Sequence, residues 1–286
     1  MASPNQITVP QLHRLIGTPD CPVIIDVCID EDFNDDPRLI PSARRHPFPL
    51  ILDLVPQLQD QKVIIVCQKG KKLSSGASAM LRSAGIAAEN LQGGNFAWRD
   101  AGLPLVPVEK IPKLTPDGHT LWVTRHRPKI DRIACPWLIR RFVDPGAQFL
   151  FVPPADVLDV AEKFNATPFD IEDVFWSHRD GGERCTFDTM VEEWKIGSEA
   201  LNRLATIVRG ADTERHDLAP EAAGLLAASL GLSRMYRDDL AQLEAGMGLY
   251  DAFYRWARDA HDETHDWPAA TATTAATATA AASAAK

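Results

Sequence analysis

Two short segments, VIIDV at 23–27 and VIIVC at 63–67, are nearly continuous runs of apolar residues rather than alternating ones. Helices packed on both faces of a parallel sheet leave its strands no solvent side, and this is the pattern such strands carry. Around them lie segments of helical period. PQLHRLIG has Pro10 suited to a first turn and Gly17 to a stop, the preferred punctuation at the two ends of a helix. Residues 75–84 predict another helix, closed by Gly85. Strand, loop and helix in this order predict an α/β domain around a central parallel sheet, over residues 1–106.

Residues 103–120 hold four prolines in LPLVPVEKIPKLTPDGHT and keep no steady period, so a linker is expected at 107–118. LWVT then predicts a short strand. In RHRPKIDRIACPWLIRRFVDP, Ile133, Leu138 and Phe142 fit a helix that Pro145 terminates, and Pro136 fits its first turn, which places Cys135 at the N-terminus. GSEALNRLATIVRG puts Leu201, Leu204, Ala205 and Val208 on one face with Gly210 at the stop, and PEAAGLLAASLG predicts a helix from Pro220 to Gly231. A long helix follows, with Leu240, Leu243, Met247, Tyr250 and Phe253 or Tyr254 along its buried side. Residues 119–267 therefore predict a mainly helical (α+β) second domain. The Ala/Thr segment 268–286 has no large side chain to bury and predicts a disordered tail.

A length of 286 residues suits two such domains. The formal net charge of −9 disfavours broad nucleic-acid binding, which needs a basic surface. No apolar run approaches the roughly 18 to 20 residues of a membrane span, and MASPNQITVP lacks the basic-then-apolar pattern of a signal peptide. The expectation is a cytoplasmic protein with no membrane partner. Its five cysteines are scattered without a CxxC pair, which speaks for free thiols or isolated ligands rather than a disulfide framework.

In VIIVCQKGKKLS a buried strand ends on Cys67 and runs into a loop with Lys69, Gly70, Lys71 and Lys72. A loop from strand to helix turns backbone N–H groups and the positive helix end toward its centre, and three lysines add to that field, so a depressed thiol pKa is expected. Taken alone, a cysteine at a strand end is more often inert packing. The surrounding residues change the balance. VIIDVC with LIPSARR, VIIVCQKGKKLS, and LQGGNFAWRDAGLPL at 91–105 resemble, in that order, the opening, active-site and closing motifs of the rhodanese family of sulfurtransferases.

The resemblance implies Cys67 as the nucleophile that carries sulfane sulfur as a persulfide, held by the loop Gln68, Lys69, Gly70, Lys71, Lys72 and Leu73, with no cofactor. Cys28 stands where the family usually has arginine, Lys72 replaces another arginine, and the loop serine moves to Ser74. Lysine binds an anion as a point charge, without arginine's bidentate fork. A protein or small-molecule persulfide is therefore a candidate donor beside thiosulfate, with a thiol as acceptor. Cys28, on the neighbouring strand, could serve as a resolving thiol, but a packing role is the expectation.

The second half carries three further clusters. Arg125, Arg127, Arg132, Arg140 and Arg141 surround Cys135 and could meet a tetrahedral oxyanion or form a solvated face. SHRDGGERCTFD holds His178, Cys185 and Asp188, and RGADTERHD holds Asp212, Glu214, His216 and Asp217. Imidazole, thiolate and carboxylate from two loops could hold a transition metal, Fe, Mn or Zn, although a histidine in a polar loop is usually only solvated. His178, Cys185, Asp212 and His216 are the candidate ligands, and Arg125 and Arg132 the candidate oxyanion contacts.

KIDRIACPWLIRRFVDP, SHRDGGERCTFD, IVRGADTE with LAPEAAGLLAASLGLS, and LYDAFYRWARD resemble the C-terminal domain of ChrB-type chromate resistance proteins, over roughly 119–260. This implies a link to chromate or another oxyanion. Regulatory members place a DNA-binding segment where this chain has its rhodanese-like domain, so DNA is not an expected partner. The leading expectation is a sulfurtransferase fused to a metal- or oxyanion-binding domain. The alternative is a chromate-responsive regulatory or binding protein with a non-catalytic rhodanese module.

Overall fold

The computed structural model describes residues 5–263, and the expected tail at 268–286 lies outside them. After β1 (Gln6–Ile7) comes α1 (Val9–Leu15), opened by Thr8: its hydroxyl accepts from the Gln11 N–H while the Gln11 side chain accepts from the Thr8 N–H. There follow β2 (Val23–Asp26), α2 (Asp30–Asn34), β3 (Arg38–Leu39), β4 (Ala43–Arg45), a 3-10 segment over Phe48–Gln57, β5 (Lys62–Val66), α3 (Lys72–Ser83), β6 (Ala87–Leu91), α4 (Gly94–Asp100) and β7 (Val106–Pro107). Five strands form one parallel sheet in the order β1-β6-β5-β2-β4, and β3 pairs antiparallel with β7 beside it. Ile24 and Ile25 of β2 and Val63 to Val66 of β5 are buried on both faces, as the unbroken apolar runs require.

The segment expected as linker makes a 3-10 turn at Val108–Lys110 and a bridge between Leu114 and Thr120. Lys110 pairs with Glu193 at 2.6 Å, and its carbonyl accepts from Trp194 Nε1 at 3.1 Å.

The second domain continues with β8 (Leu121–Arg125), α5 (Asp131–Phe142), β9 (Gln148–Val152), α6 (Val157–Phe164), β10 (Thr167–Pro168), α7 (Thr186–Glu193), α8 (Glu199–Asp212), α9 (Ala222–Met235) and α10 (Asp239–Asp259). A small parallel sheet, β10-β8-β9, lies among the helices. Trp122 on β8 meets Phe169, Trp176 and Trp194 edge-on at ring separations of 6.0–6.1 Å.

Helix boundaries differ from the sequence expectation: α3 begins at Lys72 rather than at 75, and α8 runs through Gly210 to Asp212. Helix α5 begins at Asp131, so Pro136 lies inside it and Cys135 is fully buried mid-helix rather than at the N-terminus. A proline in mid-helix loses one intrahelical bond and crowds the preceding turn, at a cost of about 3 kcal/mol, which the burial of Trp137, Leu138 and Ile139 outweighs. Helix α9 runs through Gly231 to Met235, because a helical glycine costs only about 1 kcal/mol and ends nothing by itself.

The domains pack on each other. Ser42 donates its N–H to the Phe142 carbonyl at 2.8 Å and its hydroxyl to the Arg141 carbonyl at 2.7 Å, tying the loop before β4 to the end of α5. Gly17 sits so close to the Phe142 and Tyr254 rings that a β-carbon there would overlap them. Leu12, Ile16, Phe142 and Tyr254 belong to one apolar cluster that spans both domains.

Candidate functional site

In the first domain Cys67 follows β5 directly, at the carboxyl edge of the parallel sheet, where α/β proteins place their sites. It is 5% exposed, and its Sγ lies 3.2 Å from the hydroxyl of Ser74 in the first turn of α3. Gln68 to Lys71 form the loop between strand and helix, with Lys69, Lys71 and Lys72 exposed at its rim and Leu73 half-buried. Gly70 has φ +63° and packs against the backbone of Leu91, Gly93 and Gly94, an approach that leaves no room for a side chain. The Gly94 and Phe96 end of α4 closes the loop from the other side: Asn95 and Phe96 donate their N–H groups to the carbonyls of Cys67 and Gln68 at 3.1 and 3.0 Å.

Cys28 stands on the neighbouring strand end. Burial, and then the Asp26 carboxylate beside it, push its thiol far above the ordinary range, so it stays protonated. Asn95 Nδ2 reaches both Asp26 at 2.7 Å and Cys28 Sγ at 3.5 Å. A pocket of about 110 Å³ opens at this end, lined among others by Cys28, Gln68, Asn95 and Phe96.

The second domain gathers its chemistry at the matching edge of its own sheet. Asp131 begins α5 beyond β8, Asp170 follows β10, and Asp212 ends α8. His178 Nε2 faces all three, at 3.5 Å from Asp131, 3.3 Å from Asp170 and 3.2 Å from Asp212. Thr186, opening α7, serves two of the carboxylates: its N–H bonds Asp131 Oδ2 at 2.5 Å and its hydroxyl bonds Asp170 Oδ1 at 2.9 Å. Ile130, immediately before Asp131, has φ +34°, and Asp170 has φ +54°. Such conformations are costly for residues with a β-carbon and concentrate at functional sites.

The charges here are strongly interdependent. Burial, reinforced by Asp212 and Asp170, pushes the Asp131 carboxyl well above its ordinary value. Burial also pushes Asp170 upward, but hydrogen bonds from His178 and Thr186 and the charges of Arg132 and Arg125 hold it below the usual carboxylate range. Hydrogen bonds to Asp170 and Asp212 push the His178 imidazole up to about 10 against the effect of burial.

Of the four candidate metal ligands, the fold brings together His178 and Asp212. Cys185 is buried and bonds Asp188, at 3.4 Å from Sγ to Oδ2, while Asp188 pairs on its other oxygen with Arg209 at 2.9 Å. Burial, then Asp131 and Asp188, keep its thiol protonated. His216 is exposed on a 3-10 turn. Arg125 and Arg132, the candidate oxyanion contacts, both pair with Asp170, at 3.2 and 3.3 Å. Arg140 and Arg141 pair with Glu244 and Asp251 on α10. The sequence pattern did not single out Asp131 or Asp170; Asp131 offered the signal of an aspartate shortly after the apolar strand β8, and Asp170 offered none, since β10 is only Thr-Pro.

Residues 8–101 match the family profile described as a rhodanese-like domain. Residues 122–257 match the one described as ChrB, C-terminal domain, so the chain joins a rhodanese-like domain to a ChrB C-terminal domain. Protein ChrB of Cupriavidus metallidurans is 31% identical over 170 residues, covering 55% of this chain and 50% of that protein. An uncharacterized protein of Synechocystis is 31% identical over 120 residues, covering 39% of this chain and 64% of that protein. The chain thus spans between half and two thirds of these curated relatives. A solved rhodanese-like domain protein from Staphylococcus aureus is 31% identical, covering 33% of this chain and 90% of that one, with a TM-score of 0.29. No helix among the described residues is long and apolar enough to cross a membrane.

Proposed function

We propose that the chain is a sulfurtransferase that carries sulfane sulfur on Cys67, joined to a domain that serves defence against chromate or a related oxyanion. The observation that carries this reading is the position of Cys67: directly after a buried parallel strand, at the mouth of a glycine-bearing loop, with Ser74 in the following helix turn 3.2 Å from Sγ. The first N–H groups of α3 lack intrahelical partners, so they are available to a sulfur anion.

In the forward step the Cys67 thiolate attacks the outer sulfur of a donor persulfide, R–S–SH. The donor's S–S bond breaks, R–S⁻ leaves, and Cys67–S–SH forms. An acceptor thiolate then attacks that outer sulfur, takes it as a new persulfide, and returns Cys67 to the thiolate. The exposed lysines at the rim suit an anionic donor or acceptor, and the Cys28 thiol, held protonated, does not compete as a nucleophile. Support for the oxyanion link is the match of residues 122–257 to the ChrB C-terminal domain and the likeness to Protein ChrB.

The test is intact-mass analysis after exposure to a low-molecular-weight persulfide, and separately to thiosulfate. The expected product is an adduct of about 32 Da on Cys67, absent from Cys67→Ser and discharged by an added thiol. No adduct from either donor returns the first domain to a non-catalytic recognition module.

A further inference from the structure

We propose that Asp131, Asp170 and His178 form a divalent-cation site, with the Asp212 carboxylate beside His178, suited to an ion of the manganese(II) class that prefers oxygen ligands. This site is independent of the sulfur chemistry at Cys67.

Ligand atoms of Asp131, Asp170 and His178 all lie within 4.8 Å of one another. The separations from His178 Nε2 to the three carboxylates, 3.2 to 3.5 Å, are close to those between neighbouring ligands on one ion. Metal bonds of about 2.1–2.3 Å at right angles place neighbouring ligands about 3.0–3.3 Å apart.

An independent observation comes from Asp131 itself. The residue is 1% exposed, its Oδ2 takes the Thr186 and Phe187 N–H groups, and its Oδ1 has no hydrogen-bond partner. A buried carboxylate oxygen without a partner is costly, and a bound ion is one of the few arrangements that accounts for it.

The surroundings are those of a held ligand set. Thr186 fixes two of the carboxylates, and Arg125 and Arg132 anchor Asp170 through Oδ2, leaving its Oδ1 toward His178. Partners of this kind orient ligands and set metal affinity. The His178 side chain is 33% exposed, so the site has an entry path from solvent.

Two carboxylates, one imidazole and no thiolate, with a third carboxylate alongside, select an ion satisfied by oxygen and water, rather than a structural zinc held by cysteine. Cys185 is turned to Asp188, with Sγ 3.4 Å from Oδ2, and neither it nor Cys135 is among the ligand atoms that come together here.

The experiment is a titration of chelator-treated full-length protein with Mn²⁺, following the free-ion electron paramagnetic resonance signal and, in parallel, the melting temperature. The expected result is uptake of one equivalent and a rise in melting temperature in the wild type. Asp131→Asn and His178→Ala should weaken uptake at least tenfold, while His216→Ala should titrate as wild type. If circular dichroism shows either variant unfolded, His178→Gln, at the more accessible ligand, takes its place. A wild type that takes up no Mn²⁺, or folded ligand variants that take it up undiminished, overturns the assignment; so does loss of uptake in His216→Ala.

Discussion

The Ser74 hydroxyl stands 3.2 Å from Cys67 Sγ and also bonds the Lys71 carbonyl at 3.2 Å, so the thiol is tied to the first turn of α3. Ser74→Ala removes that tie and leaves the loop backbone intact. A single hydrogen bond is worth about 0.5–1.5 kcal/mol, so persulfide formation on Cys67 should slow by about 2- to 10-fold. Rapid-quench alkylation followed by mass spectrometry measures the rate, and an unchanged value removes Ser74 from the chemistry.

Gly70→Ala should be far more severe. Its β-carbon would come within 2.5 Å of the Leu91 carbonyl oxygen and 2.6 Å of the Gly94 nitrogen, on a residue with φ +63°. Left-handed backbone alone costs about 1–2 kcal/mol, and the contacts are with main chain that cannot swing away. The expected outcome is a loss of at least about 2 kcal/mol in urea unfolding together with loss of Cys67 persulfidation. A folded, fully active variant would show that the loop backbone does not shape the site.

Ser42 separates two effects that act in opposite directions. It sits at φ +67°, a conformation that favours glycine, yet its hydroxyl bonds the Arg141 carbonyl. Ser42→Ala keeps the strained backbone and loses the bond, and should destabilise by about 1 kcal/mol. Ser42→Gly loses the bond but relaxes the backbone, and should fall between serine and alanine. Equilibrium urea denaturation ranks the three, and alanine equal to serine would mean that the hydroxyl contributes nothing across the domain boundary.

His178 predicts a pH dependence for the metal-free protein. Its folded-state value is raised from 6.5 to about 10, so the protonated form is favoured by folding. That contribution to stability is fully present below about 6.5 and is lost as pH rises through about 10. The imidazole resonances, followed by NMR in chelator-treated protein, should still be those of imidazolium at pH 8. A midpoint near the ordinary histidine value would separate His178 from its three carboxylates.

Much of the first domain was legible because its signals are local. The unbroken apolar runs of β2 and β5 announce strands covered on both faces, and Cys67 with its loop occupies consecutive positions. The second site was only half legible. His178 and Asp212 stood in polar, chemistry-rich stretches, whereas Asp131 lies between charged neighbours in KIDRI and Asp170 is one of three acids in DIED, with nothing local to single either out. They meet His178 only through the parallel pairing of β10 with β8, and β10 is just two residues long. Cys185 and His216 looked equivalent to the true neighbours in sequence, but the start of α7 buries one against Asp188 and a 3-10 turn leaves the other in solvent. The early start of α5 was hidden by Pro136, whose usual place is a first turn.

The clasp between Ser42 and the end of α5, with Gly17 pressed on Phe142 and Tyr254, bears on how this protein can be dissected. Each half supplies part of the other's interior, so a cut in the connecting segment would leave two fragments with sticky faces rather than two working modules. Inheritance faces the same constraint: the rhodanese-like half cannot be exchanged for an unrelated copy unless the surface that receives α5 and α10 travels with it.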